Sequence, residues 1–286
     1  MIVGKGRLFN ALTYSLFIII GIVMLYPFWY VLMFSFSDPA KSTLNNYFFL
    51  PVGFTLRTYE YMFRQTLIYT GLKNSAIVTL GGTALSLLLT VLTAYPLSKA
   101  DLKGKRVFLS LFFFSMMFDG GMIPTYLVVR SLGMVNKLWA LIVPGALSVF
   151  NLLIMIRFFR GIPVSLIETA KIDGYNDMAI LFRIILPLSP AALASIGLFY
   201  AVAQWNSFVG GIIYINDMDK QVLQVILKTL FQKETLGKEN HLLATISTPE
   251  HFRMAMAIIT MLPILMVYPL LQRYFIAGVM LGSVKE

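Results

Sequence analysis

Residues Ile162–Pro187 read IPVSLIETAKIDGYNDMAILFRIILP, a charged, turn-bearing island in an otherwise strongly apolar chain. Pro163 suits the first turn of a helix, where its missing N–H costs nothing. Ser165 and Glu168 have the S-x-x-E spacing of a capping box, in which each side chain satisfies a backbone donor of the first turn. Leu166, Ile167, Ala170 and Ile172 would line an apolar edge. Asp173-Gly174 ends the helix, because glycine takes the left-handed conformation without a Cβ clash. Asn176 caps a second helix from Asp177, whose charge favours that N-terminus. Pro187 and Pro190 stop it and start the next element. The spacing predicts a short amphipathic helix, a tight turn and a second helix. So ordered a segment between two apolar spans implies that something docks on it.

The surroundings of the island set the fold class. Of 286 residues, 58% are hydrophobic and 13% charged, with a mean hydropathy of +0.78. A soluble domain is about half apolar and a quarter charged. Five stretches lack Asp, Glu, Lys and Arg altogether: Ala11–Ser37, Asn74–Ser98, Leu138–Ile156, Ile184–Asn216 and Met254–Gln272. Each is long enough to cross about 30 Å of hydrocarbon as a helix. A sixth, Val107–Val129, is interrupted only by Asp119. The expectation is an all-α, polytopic integral membrane protein with six transmembrane helices in one domain, residues 1–286. The spans fall at about 11–37, 74–98, 107–129, 138–156, 188–212 and 254–275, with the island as loop 162–187 and a tail at 276–286.

An even number of spans leaves both termini on one side. Placing them inside gives the cytoplasm twelve of the 23 Lys and Arg, a near tie, with the short Lys99–Arg106 turn polarised inward. The outer loops would then be 38–73 and 211–253. In the second of these, Asp217–Lys220 followed by Val222, Leu223, Ile226, Leu227 and Leu230 predicts an amphipathic external helix.

Several function classes drop out. Cysteine is absent, which excludes disulfides and thiolate metal sites, and His241 and His251 lack metal-ligand spacing, so no metal is expected. No G-x-x-x-x-G-K-[ST] occurs, so ATP hydrolysis does not belong to this chain. The net charge of +10 is scattered over loops without a basic stripe; membrane lipid headgroups account for it, and nucleic acid is not expected. An intramembrane enzyme needs paired catalytic groups, and an ion-coupled carrier more than one buried ionisable group; the spans offer one Asp. Asp119 itself has two readings. It faces a polar pathway, or Gly120-Gly121 and Pro124 break the helix and lift it to an interface. Asn151, Gly81-Gly82 and the methionines are read as helix packing.

A family likeness then enters on the island. Glu168-Thr169-Ala170, Asp173-Gly174 and Ile184-Ile185-Leu186-Pro187 resemble the E-A-A-x-x-D-G-A-x8-I-x-L-P loop of ABC importer permeases, with the spacing kept and Thr169 and Tyr175 where the family has Ala. Asn74-Ser75, Ala94–Ser98 and the tail Gly278–Lys285 resemble the carbohydrate-uptake branch, in particular its maltose-permease-like subunit. Phe118–Pro124 is similar to permeases for oligosaccharides and polysaccharide fragments.

The resemblance implies a type I ABC importer permease in a bacterial cytoplasmic membrane, both termini cytoplasmic. It implies a coupling helix in which Glu168, Thr169, Ala170, Asp173, Gly174, Leu186 and Pro187 seat in an ATPase dimer that holds the ATP and Mg, this chain carrying no cofactor. Gly282, Ser283 and Lys285 would reach the same ATPase through the tail. The further partners would be a homologous second permease, an extracytoplasmic solute-binding protein and a carbohydrate, expected to be an oligosaccharide, alginate-like or pectin-like acidic fragments included. Sugars present hydroxyls and apolar C–H faces, so Gln204, Trp205 and Asn206 join Asp119 as path candidates. Against that, Trp205 can belong to an interfacial aromatic belt and the amides can tie helices together. An ABC permease for another solute is the alternative, with an ion-coupled secondary transporter behind it.

Overall fold

The computed structural model describes residues 3–42, 49–236 and 248–283, and among these the regular elements are all helical. The helices are α1 Val3–Ser35, α2 Arg57–Phe63, α3 Thr66–Ser98, α4 Lys105–Met117, α5 Met122–Ser131, α6 Trp139–Ile142, α7 Val149–Arg160, α8 Val164–Ile172, α9 Asp177–Ile180, α10 Pro190–Trp205, α11 Phe208–Tyr214, α12 Leu223–Leu236 and α13 Pro249–Ser283. A π-helical turn at Leu181–Ile185 extends α9, and a 3₁₀ turn at Met218–Lys220 precedes α12.

Among the described residues, three segments are each long and apolar enough to cross a bilayer: Leu12–Ser35, Thr66–Ser98 and Pro249–Val267. The other apolar stretches are broken. α4 and α5 meet at 114°, α7 and α8 at 72°, and α9 with its π turn meets α10 at 91°. The chemistry of the breaks is local. Gly121 has φ +83° between α4 and α5, a conformation closed to most side chains. Pro144-Gly145 splits the expected span 138–156 into α6 and α7, and Asn206-Ser207 ends α10 inside the expected span 188–212. Absence of charge thus overstated the length of continuous helix. At the second span it understated it: α3 starts at Thr66, eight residues before Asn74, because Lys73 interrupts the apolar run without interrupting the helix.

The chain forms two compact units, Met1–Thr66 with Leu227–Pro263 and Leu67–Ile226 with Ile264–Glu286. In the first, α1 leaves Phe17, Ile18, Ile22 and Leu25 open, a surface suited to lipid rather than water. Its end is tied down by hydroxyls. Tyr59 Oη donates to Ser35 Oγ at 2.7 Å, and Ser37 Oγ accepts from Val52 N at 3.0 Å. His251, expected between spans, sits in the first turn of α13 at 0% exposure, stacked on Phe34 at 4.2 Å. Ser42 Oγ lies 2.8 Å from its Nε2 and Thr248 Oγ1 2.7 Å from its Nδ1. Because Ser42 Oγ donates to Asp38 O, its lone pairs face His251, which places the ring proton on Nε2. His241 lies outside the described residues.

The second unit is built on α3. Val91, Tyr95 and Leu97 from its C-terminal half pack with Leu152, Met155 and Phe159 of α7, Ile180, Leu181 and Ile185 beyond the island turn, and Ile196 of α10. Val78 from its other half joins Val129, Ala140, Leu141, Tyr214 and Val222. Tyr200 of α10 bridges elements within the unit: its Oη is 2.7 Å from Thr90 Oγ1 and accepts from Ser148 N at 3.1 Å.

Candidate functional site

The island folds as helix, turn and helix, with the caps partly redistributed. α8 starts at Val164 with Pro163 at the N-cap and no side chain capping it, so the expected Ser165–Glu168 capping box is not formed. The helix begins two residues earlier than the S-x-x-E spacing suggested, which puts Ser165 inside the first turn, where its backbone oxygen accepts from Thr169 Oγ1 at 2.9 Å. Glu168 is left free of a capping duty and exposed. The C-terminal reading holds in full. Gly174 has φ +82°, Gly174 N donates to Lys171 O at 3.1 Å, and Tyr175 N donates to Ala170 O at 3.0 Å. These two bonds are the Schellman pair that satisfies the last carbonyls of a helix. Asn176 Oδ1 then accepts from Ala179 N at 2.8 Å and caps α9.

This local geometry presents one face and buries another. Ile167 and Ala170 turn into the core of the second unit, as do Ile180, Leu181 and Ile185. Ile172, expected on the same apolar edge, is 86% exposed. With Val164, Leu166, Tyr175, Met178 and Phe182 it forms an apolar surface around exposed Glu168, Thr169, Asp173 and Gly174. Leu186 is half-buried, packing against the core, and Pro187 is exposed beyond the π turn. A chain keeps large apolar groups open to water when a partner covers them.

One brace of the island carried no sequence signal. Lys99, the residue after α3, bonds Asp177 at 2.6 Å and lies 4.6 Å above the ring centroid of Tyr95. Partial burial is the largest single influence and works against the Lys99 ammonium, but the Asp177 hydrogen bond together with Tyr95 and the Asp177 charge outweighs it and raises its pKa. The same bond, against a smaller opposing effect of burial, holds the Asp177 carboxyl below its ordinary value. Arg160 Nη2 and Lys105 Nζ donate to the α3 carbonyls of Leu97 (3.5 Å) and, just past the helix, Lys99. The pairing spans 78 positions, beyond any local pattern.

The polar candidates inside the spans separate. Asp119 lies outside any helix, exposed, at the bend between α4 and α5, where its Oδ1 accepts from Gly121 N at 2.9 Å. It closes a turn, as the broken-helix reading expects. Gln204 and Trp205 are buried at 6% and 8% exposure at the end of α10, whereas Asn206 is exposed. Gln204 presses on Gly82: a Cβ there would stand 2.6 Å from Gln204 Cδ. Gly82 is therefore a close-approach glycine, as the packing reading of Gly81-Gly82 held. Gln224 Nε2 donates to Trp205 O and Asn206 Oδ1, each at 3.0 Å.

The outer helix also differs from expectation. Asp217–Lys220 forms a turn, and α12 starts only at Leu223. Asn74 Nδ2 donates to Asp219 O (2.9 Å) and Gln221 O (3.0 Å), Ser75 Oγ accepts from Leu223 N (2.9 Å), and buried Gln221 donates to Gly211 O and Ile215 O. Asp217 pairs with Lys220 at 2.8 Å and accepts from Asn136 at 2.7 Å, and these bonds hold its carboxyl below the ordinary range. The family likeness singled out Asn74-Ser75; their partners lie about 145 positions away and had no signal. Of the tail, Gly282 and Ser283 continue the backbone of α13, and Lys285 lies outside the described residues.

No family model matches the chain. It is 42% identical over 284 residues to the polygalacturonan/rhamnogalacturonan transport system permease protein YtcP of Bacillus subtilis, covering 98% of this chain and 99% of that one. Protein LplC of the same organism is 40% identical over 98% of this chain and 96% of its own length. Among solved structures, a bacterial ABC transporter involved in the import of the acidic polysaccharide alginate superposes with a TM-score of 0.85 at 32% identity, over 95% of this chain and 98% of the matched one.

Proposed function

The chain belongs to the permease subunits of ABC-type carbohydrate importers, and from that premise we propose that residues 162–187 are the surface through which a separate ATPase drives it. The observation that carries the proposal is the island itself: a helix closed by a Schellman turn at Gly174, holding exposed Glu168 and Asp173 within a rim of exposed apolar side chains. Such a surface is rigid, because its caps are satisfied locally and Ala170, Ile180 and Ile185 root it in the core. It is also unfinished, because its apolar rim faces water in the lone chain.

In this reading α4–α5, α6–α7 and α10–α11 complete six membrane passages with α1, α3 and α13, and the bends from α7 to α8 and from α9 to α10 are where the chain leaves and re-enters the membrane around the island. Both termini and the island lie in the cytoplasm, and 211–253 outside. A second, homologous permease completes the path, an ATPase dimer supplies ATP and Mg, and an external binding protein delivers the sugar. ATP-driven closure of the dimer pushes the island, and the helices pass from inward-facing to outward-facing.

Acidic oligosaccharides are the proposed cargo. Of two similar proteins, one is named for polygalacturonan and rhamnogalacturonan transport and the other imports the acidic polysaccharide alginate. Gln204 does not serve that cargo directly in this conformation: it is buried against Gly82 and acts as packing. Exposed Asn206, held by Gln224, remains the path candidate of that cluster. The test is ATP-driven uptake into proteoliposomes holding the full complex, across acidic and neutral oligosaccharides. Stimulation confined to neutral sugars would overturn the cargo, and uptake without ATP would overturn the mechanism.

A further inference from the structure

We infer that α3 is a transmission rod with two joints, Lys99–Asp177 at the island and Asn74/Ser75 at the segment 219–223. The inference rests on the reading of the island as the ATPase-driven surface and adds how the push leaves it. α3 has 33 residues, about 50 Å at 1.5 Å per residue, the longest continuous element of its unit. Contacts outside its own ladder hold it just past its C-terminal end, at Lys99, and about two turns inside its start, at Asn74 and Ser75.

At one end, an ion pair at the capped start of α9 ties the island to α3, beside the apolar core that Ala170 and Ile180 share with Tyr95 and Leu97. Asp177 is the first residue of that helix, and Lys99 the first after α3. The Lys99 head is fixed from below by the Tyr95 ring, and its backbone oxygen accepts from Lys105. The Lys99 side chain is 20% exposed and Asp177 59%, so the pair adds little to stability. Its value is positional: displacement of the island acts on the end of α3.

At the other end, the contact is backbone-directed. Asn74 holds two consecutive turns through the Asp219 and Gln221 carbonyls, and Ser75 takes the Leu223 N–H. Gly71 makes room, since a Cβ there would stand 2.9 Å from Leu223 Cα. Residues 217–223 are therefore tied to α3 as well as to Asn136, Gly211 and Ile215, so a shift of α3 acts on them directly. Between the joints, Gly82 against Gln204 and Thr90 against Tyr200 give a close, mostly small-residue track along α10. Small residues on α3 let the two helices approach closely at these points.

The natural absence of cysteine makes a direct test possible. Asp219→Cys, exposed at the outer joint, is labelled with an environment-sensitive fluorophore in the full reconstituted complex, and the signal is read with and without ATP trapped in the ATPase. The inference predicts a nucleotide-dependent change that falls at least about fivefold in Lys99→Met, the low end of coupling between sites. The charge reversal Lys99→Asp with Asp177→Lys restores it. Asn74→Ala abolishes the change while ATPase turnover persists. An undiminished response in Lys99→Met, or no response in the unmodified complex with its ATPase bound, overturns the rod. Failure of the ATPase to co-purify with the unmodified chain overturns the reading of the island, a different result from either.

Discussion

The island at 162–187 and the segment at 204–224 both interrupt apolar helices, yet they are held by opposite means. The island is closed by its own neighbours: the Gly174 turn and the Asn176 cap reach no more than five residues. The 204–224 segment is closed by distant side chains, with Asn74, Ser75 and Asn136 all donating to or accepting from groups about 80 to 150 positions away. The first is a preformed piece with one open face. The second takes its shape from α3 and Asn136 together with the Gln221 and Gln224 bonds inside it. A surface meant to receive a partner gains from local rigidity, and a segment meant to follow a moving helix gains from having little of its own.

That contrast can be broken, most severely at Gly82. Gly82→Leu forces a side chain into Gln204, an overpacking expected to cost about 3 kcal/mol, and a thermal shift of the purified subunit reads it. A Tm unchanged within a degree would mean that α3 and α10 do not pack as described. Asn74→Ala comes next: it strips the Asp219 and Gln221 carbonyls of their donor and should lower stability by about 2 kcal/mol. Protease sensitivity gained near 217–223, with the island unaffected, would sharpen the comparison.

Local substitutions in the island should cost less. Gly174→Ala meets no steric neighbour, only the left-handed backbone, and is expected to cost about 1 kcal/mol. Its effect on ATPase binding should exceed its effect on Tm. The pH response is the smallest. The Asp177 carboxyl sits below its ordinary value, so its contribution is complete above about pH 4 and is lost as pH falls through the lowered pKa. Lys99 is raised, so its contribution is complete below about pH 10 and is lost as pH rises through the raised one. The stability difference between the chain and Asp177→Asn, read from Tm, should therefore stay flat, at under about 1 kcal/mol, across the neutral range and vanish in acid. A slope near pH 7 would point to another titrating group.

The same contrast explains what could be seen in advance. The helical, membrane-embedded character followed from apolar composition, and Gly174, Asn176 and Pro190 marked real boundaries because capping is a short-range rule. Ser165 misled, since S-x-x-E spacing marks a helix start only if no earlier residue starts it, and Pro163 does. Stretches without charge located apolar helices but not their breaks at Pro144-Gly145 and Asn206-Ser207, whereas the break at Gly121 was one of the two readings of Asp119. The burial of Gln204 was foreseeable only as one of two readings, because an amide suits a sugar and a tight helix contact equally well. Lys99–Asp177 had no signal, as a pairing across 78 positions leaves none in a single chain.

The central claim is that the island transmits ATP hydrolysis to sugar movement. The direct measurement is ATP hydrolysed per acidic oligosaccharide taken up, in proteoliposomes with the complete complex, for the unmodified chain and Glu168→Lys. We expect the ATPase to remain attached through the apolar rim and the transport yield to collapse, with residual hydrolysis no longer stimulated by sugar-loaded binding protein. A Glu168→Lys complex that carries sugar at the unmodified yield per ATP would contradict the account.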